Sequence, residues 1–269
     1  MRTVPVILFR KSDIESIREL EIASSYFPVF CHRTAIPSNS LVISRYSCLP
    51  YFKELETDLI YGKSKLINDY QQFQYIANFD YYEDVKGYTF KTWFDWQSVP
   101  KEEDGPFVLK GRTNSRKRDW ATMMYAKDRA RGIKIYCDLM KDDMLSQQGI
   151  IIRKYEELEE LGRSDITKQI YANEWRFFFY KGKILCYDYY WSIADQDSIN
   201  KAKIDETGLA FAQKCGKIIG EKTNFYVLDI ARRADGVWRL VECNDGGCSG
   251  INLEVCELMY KNLKSVLGE

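Results

Sequence analysis

Short apolar runs alternate with amphipathic stretches along the whole chain. Val4 to Arg10, "VPVILFR", has the length and apolar density of a buried strand. "SDIESIRELEIASSYF" follows, with Ile14, Ile17 and Leu20 at helical spacing and Ser12 or Asp13 as the cap. Leu41 to Ser47 predicts a second strand, so strand, helix and strand in that order predict a small α/β unit. "YFKELETDLIYGKSKLINDYQQFQYIANF" adds helix-like stretches. After the polar break Lys101 to Gly105, Phe107 to Lys110 reads as a strand, Gly111 to Arg118 as a polar basic segment, and Trp120 to Ala130 as a helix. Gln148 to Leu158 predicts a further buried strand, and Asn173 to Trp191 a hairpin turning at Lys181-Gly182. "DETGLAFAQKCGKIIGEK" predicts a helix with Leu209, Ala212 and Ile219 on its core face, and "NLEVCELMYKNLKSVL" a closing one. Mixed elements of this kind belong to an α/β or α+β chain.

The segment from Val227 to Gly247 carries the first chemical signal. Asp235-Gly236 sits between two apolar-rich runs, a strong hairpin signature. A two-residue loop sets Ala234 opposite Val237 and therefore Asp229 directly across from Glu242. In that register Leu228, Ile230, Val241 and Cys243 share a core face, and Asp229, Glu242 and Asn244 share the other. Opposed side chains lie about 4.5–5.5 Å apart at Cβ, where like charges repel. A divalent cation is one compensation. Magnesium is held by one or two carboxylates together with phosphates, and Asn244 would add an amide oxygen. A solvated hairpin with its acids in water is the alternative that the pairing leaves open.

The 269 residues suffice for one large domain or two small ones, and 45% hydrophobic content supports a substantial core. Zero formal net charge gives no indication of a nucleic-acid surface. No apolar run approaches the roughly 18 residues of a membrane span. The N-terminal run turns charged at Arg10-Lys11 and reads as a first strand, not a signal peptide. Eight scattered cysteines without a Cys-x-x-Cys pair fit reduced thiols in a cytoplasmic protein. Cys243, Cys248 and Cys256 lack zinc-ligand spacing, and the single histidine, His32, weakens any mechanism built on a histidine base.

Three basic residues lie within or at the end of apolar strands: Lys110 in "FVLK", Arg153 in "IIIR", and Arg176 before Phe177 to Phe179. Such residues are seldom buried without partners. A cluster of them beside an acidic metal site suits a polyphosphate. The loop "GRTNSRKR" after Lys110 is basic and rich in donors, although neither a Walker loop nor G-x-G-x-x-G is present. Strand-end charges reaching water and a basic solvated turn are the plainer alternatives.

The order "FVLKG", "GRTNSRK", "IIIRKYEE" and "LDIARRADGVWRLVECN" resembles the ATP-grasp superfamily. Its nucleotide site has a strand lysine, a phosphate-covering loop, a hinge strand beside adenine and an acidic hairpin ending in E-x-N. "IIIRKY" and "NEWRFFFYKGKIL" resemble the clade named for two arginines and one lysine in its active site. The resemblance covers Phe107 to the end. It implies an α+β chain: an ATP-grasp fold of two α+β subdomains over residues 96–269, preceded by a small α/β domain over residues 1–95. It also implies that Lys110 binds the α- and β-phosphates. Arg153, Tyr155 and Glu156 would lie on the adenine hinge, with Arg153 turned toward phosphate or substrate. Arg176 would contact the γ-phosphate or acyl phosphate, and Asp229, Glu242 and Asn244 would hold Mg2+.

The reaction implied is ligation of a small-molecule or peptide carboxylate to an amine. ATP is cleaved to ADP and phosphate through an acyl phosphate. A kinase on the same fold and a non-catalytic nucleotide-binding module are the alternatives; the complete set of Lys110, Arg176, Asp229, Glu242 and Asn244 argues against the second. Arg232, Arg233 and the Asn244 to Asn252 loop are candidates for holding a substrate carboxylate.

Overall fold

The computed structural model describes residues 3–10, 14–48, 50–115, 119–164 and 170–268. Its first sheet is parallel. Strands β1 (Val4–Phe9), β2 (Val29–Phe30), β3 (Ser40–Arg45) and β4 (Lys65–Leu66) lie in the order β2-β1-β3-β4. Helices α1 (Ile14–Ser24), α2 (Phe52–Tyr61) and α3 (Tyr70–Ala77) complete this unit. The apolar run in β1 is explained by burial: Val6 to Phe9 are all covered. The proposed helix caps Ser12 and Asp13 fall outside the described residues. The helix-like stretch from Tyr51 to Phe79 resolves into α2, β4 and α3. The last of these opens with a reciprocal capping box between Asp69 and Gln72.

The second sheet is antiparallel, in the order β5-β8-β6-β7, from β5 (Thr92–Trp93), β6 (Phe107–Gly111), β7 (Tyr125–Ala126) and β8 (Ile150–Lys154). Helix α4 (Tyr82–Val85) precedes it, and α5 (Arg129–Leu139) and α6 (Asp143–Gln148) cover it. The continuous helix expected over Trp120 to Ala130 does not form. Trp120–Met124 make a short helical turn, Tyr125 and Ala126 pair with Val108 and Phe107, and α5 starts only after Asp128 caps it. Strand pairing at the sheet edge overrides the local helical period.

The third sheet is antiparallel, in the order β12-β11-β13-β14, from β11 (Glu174–Tyr180), β12 (Lys183–Tyr189), β13 (Phe225–Arg232) and β14 (Trp238–Asp245). The turn at Lys181-Gly182 is as expected, with both φ angles positive. Helix α8 (Glu206–Gly220) packs on the face carrying Phe177, Phe179, Tyr226 and Leu228. On the other face, α9 (Leu253–Gly268) packs against Phe178, Phe225 and Val227, and so does the first unit through Ile7, Phe9 and Ile43. Buried polar contacts fasten that unit further: Asn68 Nδ2 donates to Asp245 Oδ2 at 2.9 Å, and Arg45 donates to the Gly246 carbonyl. Strands β9 (Glu160–Arg163) and β10 (Ile170–Ala172) form a small ribbon, and α7 (Gln196–Lys201) packs beside it.

The β13–β14 hairpin corrects one expectation. Gly236 donates to the Arg233 carbonyl and Arg233 to the Val237 carbonyl, both at 2.9 Å, so the loop is three residues long, Ala234 to Gly236. Gly236 closes it at φ +85°, the conformation such a loop requires of its last residue. Ile230 consequently faces Leu240, one residue out of the expected frame. A bulge between Asp229 and Ile230 restores the frame, and Asp229 does face Glu242. Leu240, not Val241, fills the core; Val241 is the extra residue and turns to the cleft beside Glu242.

Candidate active site

The second and third sheets border a cleft of ≈ 330 Å³, within the size range of small-molecule sites. Lys110 from β6 and Arg153 from β8 enter it from one side, and Val241 and Glu242 from β14 enter from the other. The segment Lys154 to Leu158 forms one wall, with Trp120, Met124 and Trp191 among the remaining lining residues. A second cavity of ≈ 280 Å³ adjoins it. Glu242 lines both. Arg112, Arg176, Asn244 and Ser249 border the second cavity, and the first unit supplies Ser47 and the α3 residues Phe73, Ile76 and Ala77.

A row of charges crosses the third sheet to this junction. Asp188, Arg176, Asp229 and Glu242 stand opposite one another on four successive strands and so share a face. Arg176 holds Asp229 with both prongs, Nε to Oδ1 at 2.8 Å and a terminal nitrogen to Oδ2 at 2.7 Å. Its other terminal nitrogen donates to the Gly250 carbonyl at 3.2 Å, and the guanidinium stacks on Tyr190 at 4.7 Å. Lys110 reaches across from the second sheet to donate to Glu242. The two opposed acids are therefore each matched by a cation from the protein. Their repulsion does not by itself demand a metal, as the sequence had suggested.

Burial and charge act oppositely on the two arginines. Burial lowers the Arg176 pKa, but the Asp229 charge and hydrogen bonds more than offset it, and the net shift is upward. For Arg153 burial dominates and the pKa falls below the ordinary arginine value. Its guanidinium is held by protein groups: it donates to Thr89 Oγ1 at 2.6 Å, to Thr92 Oγ1 at 3.3 Å and to the Val241 carbonyl, and it stacks on Phe90 at 4.8 Å. Arg153 thus grips the bulge from the second sheet while lining the cleft. Asp188 has its pKa raised by burial and accepts from Asn252 at 2.7 Å.

The hinge residues line the same cleft with much of their bonding capacity already used. Tyr155 donates its backbone N–H to the Pro106 carbonyl at 2.9 Å. The Glu156 carboxylate pairs with Arg233 at 2.9 Å and Arg239 at 3.3 Å. Arg233 also pairs with Asp235, and Arg232 with Glu159, so both arginines proposed as substrate ligands brace the hinge against the hairpin tip. The Asn244 to Asn252 loop does reach a cavity, through Asn244, Asp245, Cys248, Ser249 and Gly250. Of the basic loop, Arg116 to Arg118 lie outside the described residues. Sequence reasoning missed Ser47 and the α3 wall, whose residues look like ordinary core positions, and it passed over Arg112 as one charge among several.

Of the three residues predicted to hold magnesium, Glu242 and Asn244 line the second cavity, while Asp229 is buried behind them with both oxygens on Arg176 and lines neither cavity. The donor chemistry of the set nevertheless suits that ion. Asp229, Glu242 and Asn244 offer only oxygen ligands from two carboxylates and an amide, the set expected for an ion that shares its coordination with phosphates. Among the described residues no group of three or more histidine, cysteine, aspartate or glutamate side chains converges, so a closed protein cage for a metal is not formed.

Two antiparallel sheets gripping a cleft of this composition, with a parallel α/β unit packed beside them, are the architecture of an ATP-grasp protein. Residues 96–263 match the ATP-grasp domain, R2K clade family 3, and the chain belongs to that family. Its fold is α+β, an ATP-grasp fold of two subdomains preceded by a small α/β unit. Solved structures agree over nearly their whole length. The RimK domain protein ATP-grasp from Sphaerobacter thermophilus is 12% identical at a TM-score of 0.56, covering 96% of this chain and 98% of that one. D-cycloserine synthetase DcsG is 13% identical at 0.58, covering 98% and 99%. The ATP-grasp ligase PsnB, complexed with a phosphomimetic variant of minimal precursor, Mg and ADP, is 11% identical at 0.58, covering 99% of each. No curated protein matches the chain. No helix among the described residues is long and apolar enough to cross a membrane.

Proposed function

We propose that this protein is an ATP-dependent carboxylate–amine ligase working through an acyl phosphate. The observation that carries the reading is the junction itself: a nucleotide-sized cleft and a second cavity meet at Glu242, beside Lys110 and the Arg176–Asp229 pair. The similar structures support it, since they include a synthetase and a ligase complexed with Mg and ADP.

In this reading the triphosphate lies in the first cleft with the carboxylate in the second. Lys110 leaves Glu242 for the phosphates, and Asp229, Glu242 and Asn244 would hold Mg2+, which would supply charge neutralisation for the triphosphate. A carboxylate oxygen forms a bond to the γ-phosphorus while the bond to the β–γ bridging oxygen breaks, and ADP departs with that electron pair. Arg176, fixed by Asp229, offsets charge on the transferring group. The amine then attacks the acyl carbon, phosphate leaves and the amine loses a proton to solvent. No protein nucleophile is required: Cys243 is buried and its thiol pKa is driven well up by desolvation. Eight free cysteines, five of them buried, suit a cytoplasmic setting.

The test uses carboxylates labelled with oxygen-18 and an amine panel, with Mg-ATP. Ligation must place one labelled oxygen in the released phosphate. Label in AMP would remove the protein from acyl-phosphate chemistry. A stable phosphorylated product unaffected by amine would make it a kinase.

A further inference from the structure

Two guanidinium groups border the second cavity, and only one of them is matched. Arg176 is committed to Asp229, Gly250 and Tyr190. Arg112 has no hydrogen-bond or ion-pair partner for its guanidinium among the described residues, and its Nε is buried without an acceptor. It is nevertheless firmly mounted. Its guanidinium stacks on Phe94 at 5.6 Å, and its backbone N–H donates to the Gly149 carbonyl at 3.1 Å. An added Cβ at Gly149 would stand 2.9 Å from Arg112 Nε, so the missing side chain there leaves the channel in which the arginine lies. The next residues are tied to Gln148 Oε1, by Thr113 Oγ1 at 2.7 Å and Asn114 Nδ2 at 2.9 Å.

Alternate residues of an extended strand share a face. Lys110 in β6 and Arg112 just beyond its end therefore start from the same side, but Lys110 lines the nucleotide cleft and Arg112 the second cavity. A guanidinium fixed in place, partly desolvated and without a counter-ion among the described residues calls for an anion from outside. Its planar fork matches a carboxylate in two parallel hydrogen bonds.

We propose that Arg112 is the residue that receives the substrate carboxylate, and that the second cavity accepts a carboxylate of amino-acid dimensions. The assignment rests on the ligase reading. Neutralising the carboxylate lets one anion approach another at Glu242, and the fork leaves an oxygen lone pair free to attack. A volume of ≈ 280 Å³ closed on one side by Phe73, Ile76 and Ala77 fits a single amino-acid unit, either free or at a peptide terminus.

The wild type, Arg112→Met and Arg112→Lys, each saturated with Mg and the non-hydrolysable analogue AMPPNP, are titrated with the common amino acids, dipeptides and the corresponding amides by calorimetry. The expected result is binding of one or more carboxylates but not of their amides. Arg112→Met should weaken it at least about tenfold, Arg112→Lys should recover part, and AMPPNP affinity should stay within about twofold. Binding of amino acids without dipeptides, or the reverse, separates the two sources. Unchanged carboxylate affinity in Arg112→Met, loss of AMPPNP affinity instead, or no binding by any member of the panel overturns the proposal. Hydroxylamine then serves as the amine: a carboxylate that binds through Arg112 yet yields no hydroxamate with Mg-ATP leaves the Arg112 assignment standing and defeats the ligase reading.

Discussion

Arg176 faces Asp229 across β11 and β13 and holds both of its carboxylate oxygens, at 2.8 and 2.7 Å, with the aspartate side chain fully buried. Breaking such a pair on one side leaves a buried charge uncompensated, at a cost of about 3–5 kcal/mol. Arg176→Met should lower unfolding stability by roughly that amount, and Asp229→Asn should also destabilise, despite relieving repulsion with Glu242. The double variant should regain much of the loss. Urea unfolding of all four proteins checks this; additive losses in the double variant would mean that the two residues are not coupled.

Lys110 and Glu242 make the corresponding contact between sheets, and under the proposed function nucleotide competes for it. Without divalent metal, Glu242→Gln should bind ATP more tightly than the wild type, because Lys110 is released to the phosphates. With magnesium present, the same variant should lose turnover by about a hundredfold or more, the loss expected when a group acting on transition-state charge is removed. Lys110→Met should bind ATP weakly under both conditions. Equal metal-free affinity in Glu242→Gln and the wild type would show that the lysine is not held back by the glutamate.

Arg153 can act on nucleotide directly or through the strand it grips. If it positions β14, Thr89→Ala with Thr92→Ala should reproduce much of the effect of Arg153→Met on AMPPNP affinity, since those hydroxyls accept from its guanidinium. A loss confined to Arg153→Met would assign a direct phosphate contact. Thermal unfolding run alongside separates either outcome from general destabilisation.

Asp205 caps α8, accepting from the Gly208 N–H at 2.8 Å and from Trp238 at 3.2 Å. Hydrogen bonding from Thr207 and then from Gly208 depresses its pKa below the ordinary aspartate value. A depressed carboxylate stabilises the fold above its unfolded pKa, near 3.9, and that contribution disappears as pH falls through the lower folded value. Asp205→Ala should therefore cost about 1 kcal/mol at neutral pH, typical of a lost cap, and progressively less below about pH 4. A pH-independent difference would assign the loss to packing.

Much of the candidate site was legible because the residues that meet there violate local rules. Lys110, Arg153 and Arg176 stand in apolar strands, and Asp229 and Glu242 stand on one hairpin face. Their partners were not legible, since Arg176 meets Asp229 only because β11 lies beside β13, a pairing between strands distant in sequence. The hairpin frame came out right at Asp229 through two offsetting one-residue errors: Asp-Gly suits a three-residue loop ending in glycine as well as a two-residue one, and nothing local marks Val241 as a bulge. Trp120 to Ala130 has a helical period, but Tyr125 and Ala126 are captured by the sheet edge. Phe73 and Ile76 carry the spacing of core residues, and only the assembled fold shows that they also wall a cavity.

The Val241 bulge separates the hairpin into two segments with independent phase. The tip pairs in one frame and the strand ends carrying Asp229 and Glu242 pair in another, offset by a single position. Because the backbone changes frame between Ile230 and Asp229, a residue gained or lost at the tip can be absorbed there without rotating Glu242 off its face. The outer hairpin, with the arginines that pair with Glu156 and Glu159, is thereby free to vary in length while the carboxylates beneath it keep their aim.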